Sequence, residues 1–318
     1  MARRRKKGLP VHGWLILDKP LGMTSTQAVG KIRWLFNAQK AGHAGTLDPL
    51  ATGVLPIALG EATKTVPYAV DDVKAYEFTV RWGVETDTDD ADGQAVETSD
   101  ARPAADAIEA ILGDFTGEIL QRPPRFSAIK VDGARAYDLA REGEAVELDA
   151  RPIHVDALTL VERRDPDTAV FEAVCGKGTY VRALARDMGR VLGCLGHVTA
   201  LRRTQVGGFT VDDCHTLEAL IEAGEWRDDE GQQQRVEGEA RVALLGHLLP
   251  PETALDNLCA LHVNANDAGR IGRGQSVLMR GRDAPITHGE AFAVFKDKLL
   301  ALGVIEKGVF KPTRVMNL

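Results

Sequence analysis

Cysteine is scarce and scattered. The 318 residues hold four (Cys175, Cys194, Cys214 and Cys259), and no two form a C-x-x-C pair. Such spacing argues against a zinc site or a disulfide framework and predicts free thiols in a reducing compartment. Long apolar runs are missing too. The longest, residues 50–59, contains Gly53 and Pro56 and is too short to span a bilayer. Arg3, Arg4, Arg5, Lys6 and Lys7 could open a signal peptide. Pro10, His12, Gly13, Asp18 and Lys19 then interrupt the apolar core that should follow. A soluble, cytoplasmic chain with no membrane partner is expected. There is no G-x-x-x-x-G-K-[ST], H-E-x-x-H or G-x-S-x-G. The acid-rich stretch 87–93 fails as a calcium loop, because a register ending at Gly93 puts Thr88 first and Ser99 twelfth. No internal repeat is visible, and no metal site is expected.

What is present can bury a full core: 44% of the residues are hydrophobic, and the length predicts one large domain plus a smaller one. The net charge of −7 argues mildly against a nucleic-acid partner, but distribution matters more than the sum. Acid is concentrated at 85–92 and 228–230. Base is concentrated in the tail of residues 1–11, at Arg122, Arg125, Lys130 and Arg135, along Arg182, Arg186 and Arg190, and at Arg202 and Arg203. Separated blocks of this kind can turn a basic face to phosphates while the chain stays acidic.

Hydrophobic periodicity places the elements. Residues 14–17 read as a buried strand. Thr24 and Gln27 have capping-box spacing ahead of Val29, Ile32, Leu35 and Phe36 at helical intervals. Residues 76–82 alternate as a strand with one buried face. Pro103 opens a helix with Ile108, Ile111 and Leu112 inside and Gly113 at its end. Asp132-Gly133 signals a hairpin, and 155–161 and 170–174 read as two further strands. Val181, Leu184, Ala185, Met188, Val191 and Leu192 define an amphipathic helix ended by Gly193. Arg182, Arg186 and Arg190 form a basic stripe on another of its faces. Residues 224–239 are polar, as an insertion or linker would be. Beyond Pro250-Pro251, frequent glycines among short strands predict a small β-rich module.

The richest segment is GHAGTLDPLATGVLPIALGEATK, residues 42–64. It sets one acid, Asp48, and one imidazole, His43, among glycines that permit positive φ or close approach to a ligand. Asp48 is either a nucleophile or base beside an apolar stretch, or the cap of a helix starting at Pro49.

That segment resembles the motif around the catalytic aspartate of the tRNA pseudouridine synthase B (TruB) family. Six further matches follow in family order: LDKPLGMTS (17–25), Tyr76, TDTD (86–89), SAIKVDG (127–133), KGTYVR (177–182) and LRRT (201–204). The resemblance covers roughly residues 12–215. It implies a pseudouridine synthase fold: α+β, with a mixed, mostly antiparallel catalytic sheet flanked by helices. The domain expected over residues 12–250 carries an RNA-binding insertion at about 121–148. A weaker resemblance makes 251–318 a PUA-like RNA-binding module, with an unrelated β-barrel appendage as the alternative.

The implied activity is isomerisation of uridine 55 in the TΨC arm of tRNA, by a chain needing no cofactor and no obligatory protein partner and acting as a monomer. Asp48 matches the family nucleophile, and Arg182 the arginine that pairs with it. Tyr76 matches the tyrosine that stacks on the flipped base and is a candidate for the late proton removal from C5. Tyr180 and Leu201 match residues packed around the base. His43 matches a residue that fills the gap left in the RNA stack. Lys19 and Pro20 match a wall of the pocket. Arg122, Arg125 and Lys130 belong to the insertion that closes over RNA. The family most often has tyrosine where Phe126 stands, so any hydroxyl hydrogen bond there is lost. Two other readings are a tRNA-binding or tRNA-folding protein without catalysis, which intact Asp48, Tyr76 and Arg182 oppose, and a guide-dependent synthase, which the insertion at 121–148 opposes.

Overall fold

The computed structural model describes residues 8–127, 129–131, 134–135, 148–227, 230–279 and 288–318, with backbone alone at 130–131, 134–135 and 226–227. Ten strands build the main sheet: β1 (Gly13–Lys19), β2 (Ala41–His43), β3 (Ala51–Leu59), β4 (Lys74–Trp82), β5 (Gly117–Gln121), β6 (Arg151–Asp165), β7 (Thr168–Cys175), β8 (Gly196–Val206), β9 (Phe209–Thr210) and β10 (His215–Thr216). Their order is β10-β1-β3-β8-β4-β7-β6-β5, with β2 on β3 and β9 on β8. Two pairs, β1 with β10 and β3 with β8, are parallel, and the others are antiparallel. The sheet is therefore mixed and mostly antiparallel, as expected.

Side chains of β1 alternate between two cores. Leu15 and Leu17 join Ile32, Phe78 and Met188, while Trp14 and Ile16 join Val54, Ala58 and Phe209. A strand covered on both faces has no polar side to show, so its apolar run is unbroken. The four helices that matter most are α1 (Ser25–Leu35), α2 (Val66–Asp71), α3 (Ala105–Ile111) and α4 (Val181–Val191). Thr24 closes the capping box with Gln27 at the start of α1. Buried Val181, Leu184, Ala185 and Met188 dock α4 on the sheet, and Gly193 follows it at φ +67°. The helix expected from Pro103 starts at Ala105 and runs past Gly113 as a 3-10 turn to Phe115. The turn expected at Asp132-Gly133 lies outside the described residues; on either side of it Lys130 pairs with Arg135 and Val131 with Ala134.

Two segments show what polarity conceals. Within 224–239, Glu225–Arg227 pairs antiparallel with Gln233–Arg235. The pair docks on α1, where Lys31 pairs with Glu225 and Arg235 lies 5.3 Å from the centre of the Trp34 ring. Beyond Pro251, five strands form a second sheet in the order Cys259–His262, Gly289–Phe295, Lys298–Glu306, Val309–Val315, Val277–Leu278, around Leu261, Ile271 and Phe310. This small β-rich module meets the main body through Trp14 Nε1 donating to the Pro251 carbonyl (3.3 Å), Lys64 Nζ to that of Val315 (2.7 Å), and the Asn317 amide to Glu61 (2.9 Å).

Candidate active site

Asp48 lies in the connection from β2 to β3. Residues 49–50 make a turn and β3 begins at Ala51, so no helix starts at Pro49 for Asp48 to cap. The glycines around it answer to Arg203 on β8. A Cβ on Gly45 would stand 3.2 Å from the guanidinium, and one on Gly53 only 2.2 Å from the Arg203 carbonyl oxygen; both glycines have positive φ. Arg203 itself is 1% exposed. It donates to the carbonyls of Val54 (2.8 Å), Gly45 (3.1 Å) and Thr46 (3.5 Å). Sequence reasoning placed Arg203 in a surface basic block. The period-2 alternation of β8, which puts it on the same face as Leu201, was the signal that could have found it.

Arg182, the second residue of α4, reaches Asp48 Oδ2 with Nη2 at 2.9 Å, and its Nε stands 3.6 Å from Asp90. It also donates to the carbonyls of Thr88 (2.7 Å) and Phe126 (3.0 Å). One turn on, Arg186 pairs with Asp89 at 2.9 Å and with Asp187; Arg190 then pairs with Glu85 at 2.5 Å. The expected basic stripe is thus not a phosphate-facing surface, because the acidic block at 85–90 packs onto it and neutralises it. Nor is Arg202 free, since both its amino groups bind Asp18. Burial drives Asp89 up to about 6 despite Arg186 and Arg182 opposing it, and burial also raises Asp90. In this cluster the Arg182 side chain is 6% exposed, whereas that of Asp48 keeps 39% in contact with solvent.

Asp48 opens into a cleft of about 250 Å³ lined also by Tyr76, Tyr180, Arg182, Leu201 and Arg203, with Lys74, which was not foreseen, and Ser127, which opens the 127–133 match, in its wall. Tyr76 on β4 stands in register with Arg203 on β8. Burial raises the Tyr76 phenol above its ordinary range, with the Arg203 guanidinium opposing that shift. The Tyr180 backbone is held at both polar atoms by Gln121, which accepts from its N–H (2.9 Å) and donates to its carbonyl (3.1 Å). Lys19 is buried beneath the loop. Its Nζ donates to the carbonyls of Met23 (2.7 Å), Pro20 (2.9 Å) and Pro49 (3.4 Å), and desolvation lowers it to about 8 against the pull of Asp48.

Lys19 and Pro20, expected in the pocket wall, do not line the cleft. His43, expected to fill the gap in the RNA stack, stands on β2 opposite Ile57 and is also outside the lining. Arg122 and Arg125 are exposed on a neighbouring cavity of about 470 Å³, with no ion pair among the described residues; the Lys130 side chain lies outside the described residues. No group of three or more potential metal ligands occurs among the described residues. Within the same limit, no helix is long and apolar enough to cross a membrane.

Comparison with known proteins places this geometry in context. The TruB family pseudouridylate synthase N-terminal domain matches residues 33–181, and the tRNA pseudouridylate synthase B C-terminal domain matches 182–256. The tRNA pseudouridine synthase B of Agrobacterium fabrum is 57% identical over 99% of this chain and 97% of its own length. That of Brucella melitensis is 55% identical over 100% and 99%. Among solved structures, a chain of a Cbf5-Nop10-Gar1 complex superposes with a TM-score of 0.70 at 26% identity, covering 96% of this chain and 84% of that one.

Proposed function

This chain belongs to the TruB family of pseudouridylate synthases, and on that premise we propose that it isomerises uridine 55 in the TΨC arm of tRNA, with Asp48 as nucleophile. The observation that carries the reading is the half-exposed Asp48 carboxylate at the cleft, against a buried Arg182 at 2.9 Å. The buried guanidinium gives the carboxylate a fixed partner on one side and leaves its other side open to the cleft. Relatives named tRNA pseudouridine synthase B, at 55–57% identity over nearly the whole chain, support tRNA as the substrate.

The reaction breaks the C1′–N1 bond, turns the uracil and makes a C1′–C5 bond. The C5 hydrogen leaves as a proton, N1 gains one, and no redox change occurs. A covalent adduct with Asp48 divides this into easier steps. The uridine must first leave its stack, at a cost of a few kcal/mol. Tyr76, Tyr180 and Leu201 offer the flipped base a lined slot. Tyr76 is the candidate acceptor for the C5 proton, and the adjacent Arg203 charge stabilises the phenolate that acceptance requires. Arg122 and Arg125 would contact the backbone phosphates, and the C-terminal module, read as PUA-type, would add RNA contacts of its own.

The test is Asp48→Asn, which keeps size and removes the nucleophile. Tritium release from C5-labelled tRNA is expected to fall by about 10⁴ or more, equivalent to roughly 5.5 kcal/mol of barrier. Filter binding should stay within about tenfold, since phosphate and stacking contacts supply most of the affinity. Turnover near the wild-type rate would refute the mechanism. Tight tRNA binding by a wild-type protein that releases no tritium would establish the non-catalytic reading.

A further inference from the structure

Asp48 is the one residue of the 45–49 loop whose side chain faces the cleft as an acid, and its neighbours are held from below. Arg203 binds the carbonyls of Gly45 and Thr46. The Pro49 carbonyl accepts from the Gly22 amide (2.8 Å) and from Lys19. Between these sits Leu47, the residue immediately before the acid, buried to 3% exposure. Both of its backbone polar atoms go to one side chain: Ser25 Oγ donates to the Leu47 carbonyl at 2.9 Å and accepts from the Leu47 amide at 2.9 Å.

Ser25 opens α1, where a serine would ordinarily serve the helix end. Here that task is already done. Thr24 is the N-cap, and its box with Gln27 is closed in both directions. The Ser25 hydroxyl is therefore left over from capping, is itself 3% exposed, and is used wholly on Leu47. A hydroxyl is among the smallest groups able to donate and accept at once, which a reciprocal clamp on one peptide unit requires. We propose that Ser25 is a positioning residue for the reaction: by clamping Leu47 at both polar atoms it fixes where the Asp48 carboxylate stands relative to Arg182 and the cleft. The assignment rests on the reading of Asp48 as nucleophile. Ser25 touches neither substrate nor Asp48 and acts through the backbone between them.

The experiment compares Ser25→Ala, Ser25→Thr, Asp48→Asn and Ile32→Val in the full-length protein, by single-turnover tritium release, tRNA binding and thermal unfolding. Ile32→Val removes a buried methyl group from the same helix and leaves the Ser25 hydroxyl and its two bonds to Leu47 in place. A displacement of about 1 Å at a reacting group can cost on the order of 10²-fold. Ser25→Ala is accordingly expected to lose about 30- to 100-fold in single-turnover rate with tRNA affinity within about threefold. Ser25→Thr, which retains the hydroxyl, should recover most of that loss. Ile32→Val should unfold earlier yet keep its rate. If Asp48→Asn is inactive while Ser25→Ala turns over within about threefold of wild type, the positioning role is overturned and the nucleophile stands. A Ser25→Thr variant as slow as Ser25→Ala would also overturn it. If Asp48→Asn is itself active, it is the nucleophile that fails.

Discussion

Asp89 shows how much a single buried acid can weigh. It holds a φ of +62°, a left-handed conformation seldom adopted outside glycine, in the turn whose Thr88 carbonyl binds Arg182. Its carboxylate is packed against Arg186, yet desolvation outweighs that pair and lifts it from 3.8 to about 6. The native state thus binds this proton more tightly than the unfolded chain. The resulting stability is full below about pH 3.8 and is lost as pH rises through about 6. Asp89→Asn cannot titrate. Urea midpoints of wild type and variant, taken from pH 4 to 7, should diverge, with wild type losing ground as pH rises. Parallel curves would mean that the Asp89 proton is not bound more tightly in the folded state.

At the scale of elements, residues 121–126, where an insertion is expected to begin, are tied to the helix that carries Arg182. Gln121 grips Tyr180, the Arg122 carbonyl accepts from Arg186 (2.8 Å), and the Phe126 carbonyl accepts from Arg182. The backbone faces inward while the side chains of Arg122 and Arg125 face solvent. Each phosphate contact contributes about 0.7 to 0.9 to the slope of log affinity against log salt. Changing both arginines to glutamine should therefore lower the slope for tRNA by about 1 to 2, with turnover at saturating tRNA altered by less than about threefold. A slope identical to wild type in filter binding would place both side chains away from the RNA.

At the scale of the whole molecule, the two large sheets of the described residues have separate cores, joined by polar contacts such as Lys64 to Val315 and Asn317 to Glu61 and by Tyr68, which packs on the apolar cluster around Phe292 and Leu302. Phe310 is fully buried in the smaller core. Phe310→Ala should cost about 3–5 kcal/mol, borne by that module. Calorimetry should then show an early transition split from the main one. Between the two transitions, on the proposed function, turnover of an isolated TΨC stem-loop should persist, while affinity for intact tRNA falls if the module binds RNA. A single transition that shifts as a unit would show that the two sheets unfold together.

Much of this protein was legible in one dimension. Periodicity located β1, β4, α1 and α4, because a strand or helix that buries a face repeats at 2 or 3.6 residues whatever lies opposite. The glycine-punctuated loop around Asp48 was visible because backbone at positive φ limits residue choice locally. The strings at 42–64 and 177–182 named both partners of the ion pair. Only the tertiary structure decided how charge is spent. Arg186 and Arg190 read as part of a basic stripe until residues 85–90 arrived from a distant part of the chain to pair with them. Arg203 looked like one of a surface pair until β8 was set between β3 and β4. Ser25 read as part of a helix start until Leu47 was brought to it. Local sequence determines the conformation a residue prefers, but the partner of a buried polar group depends on which distant segment lies against it.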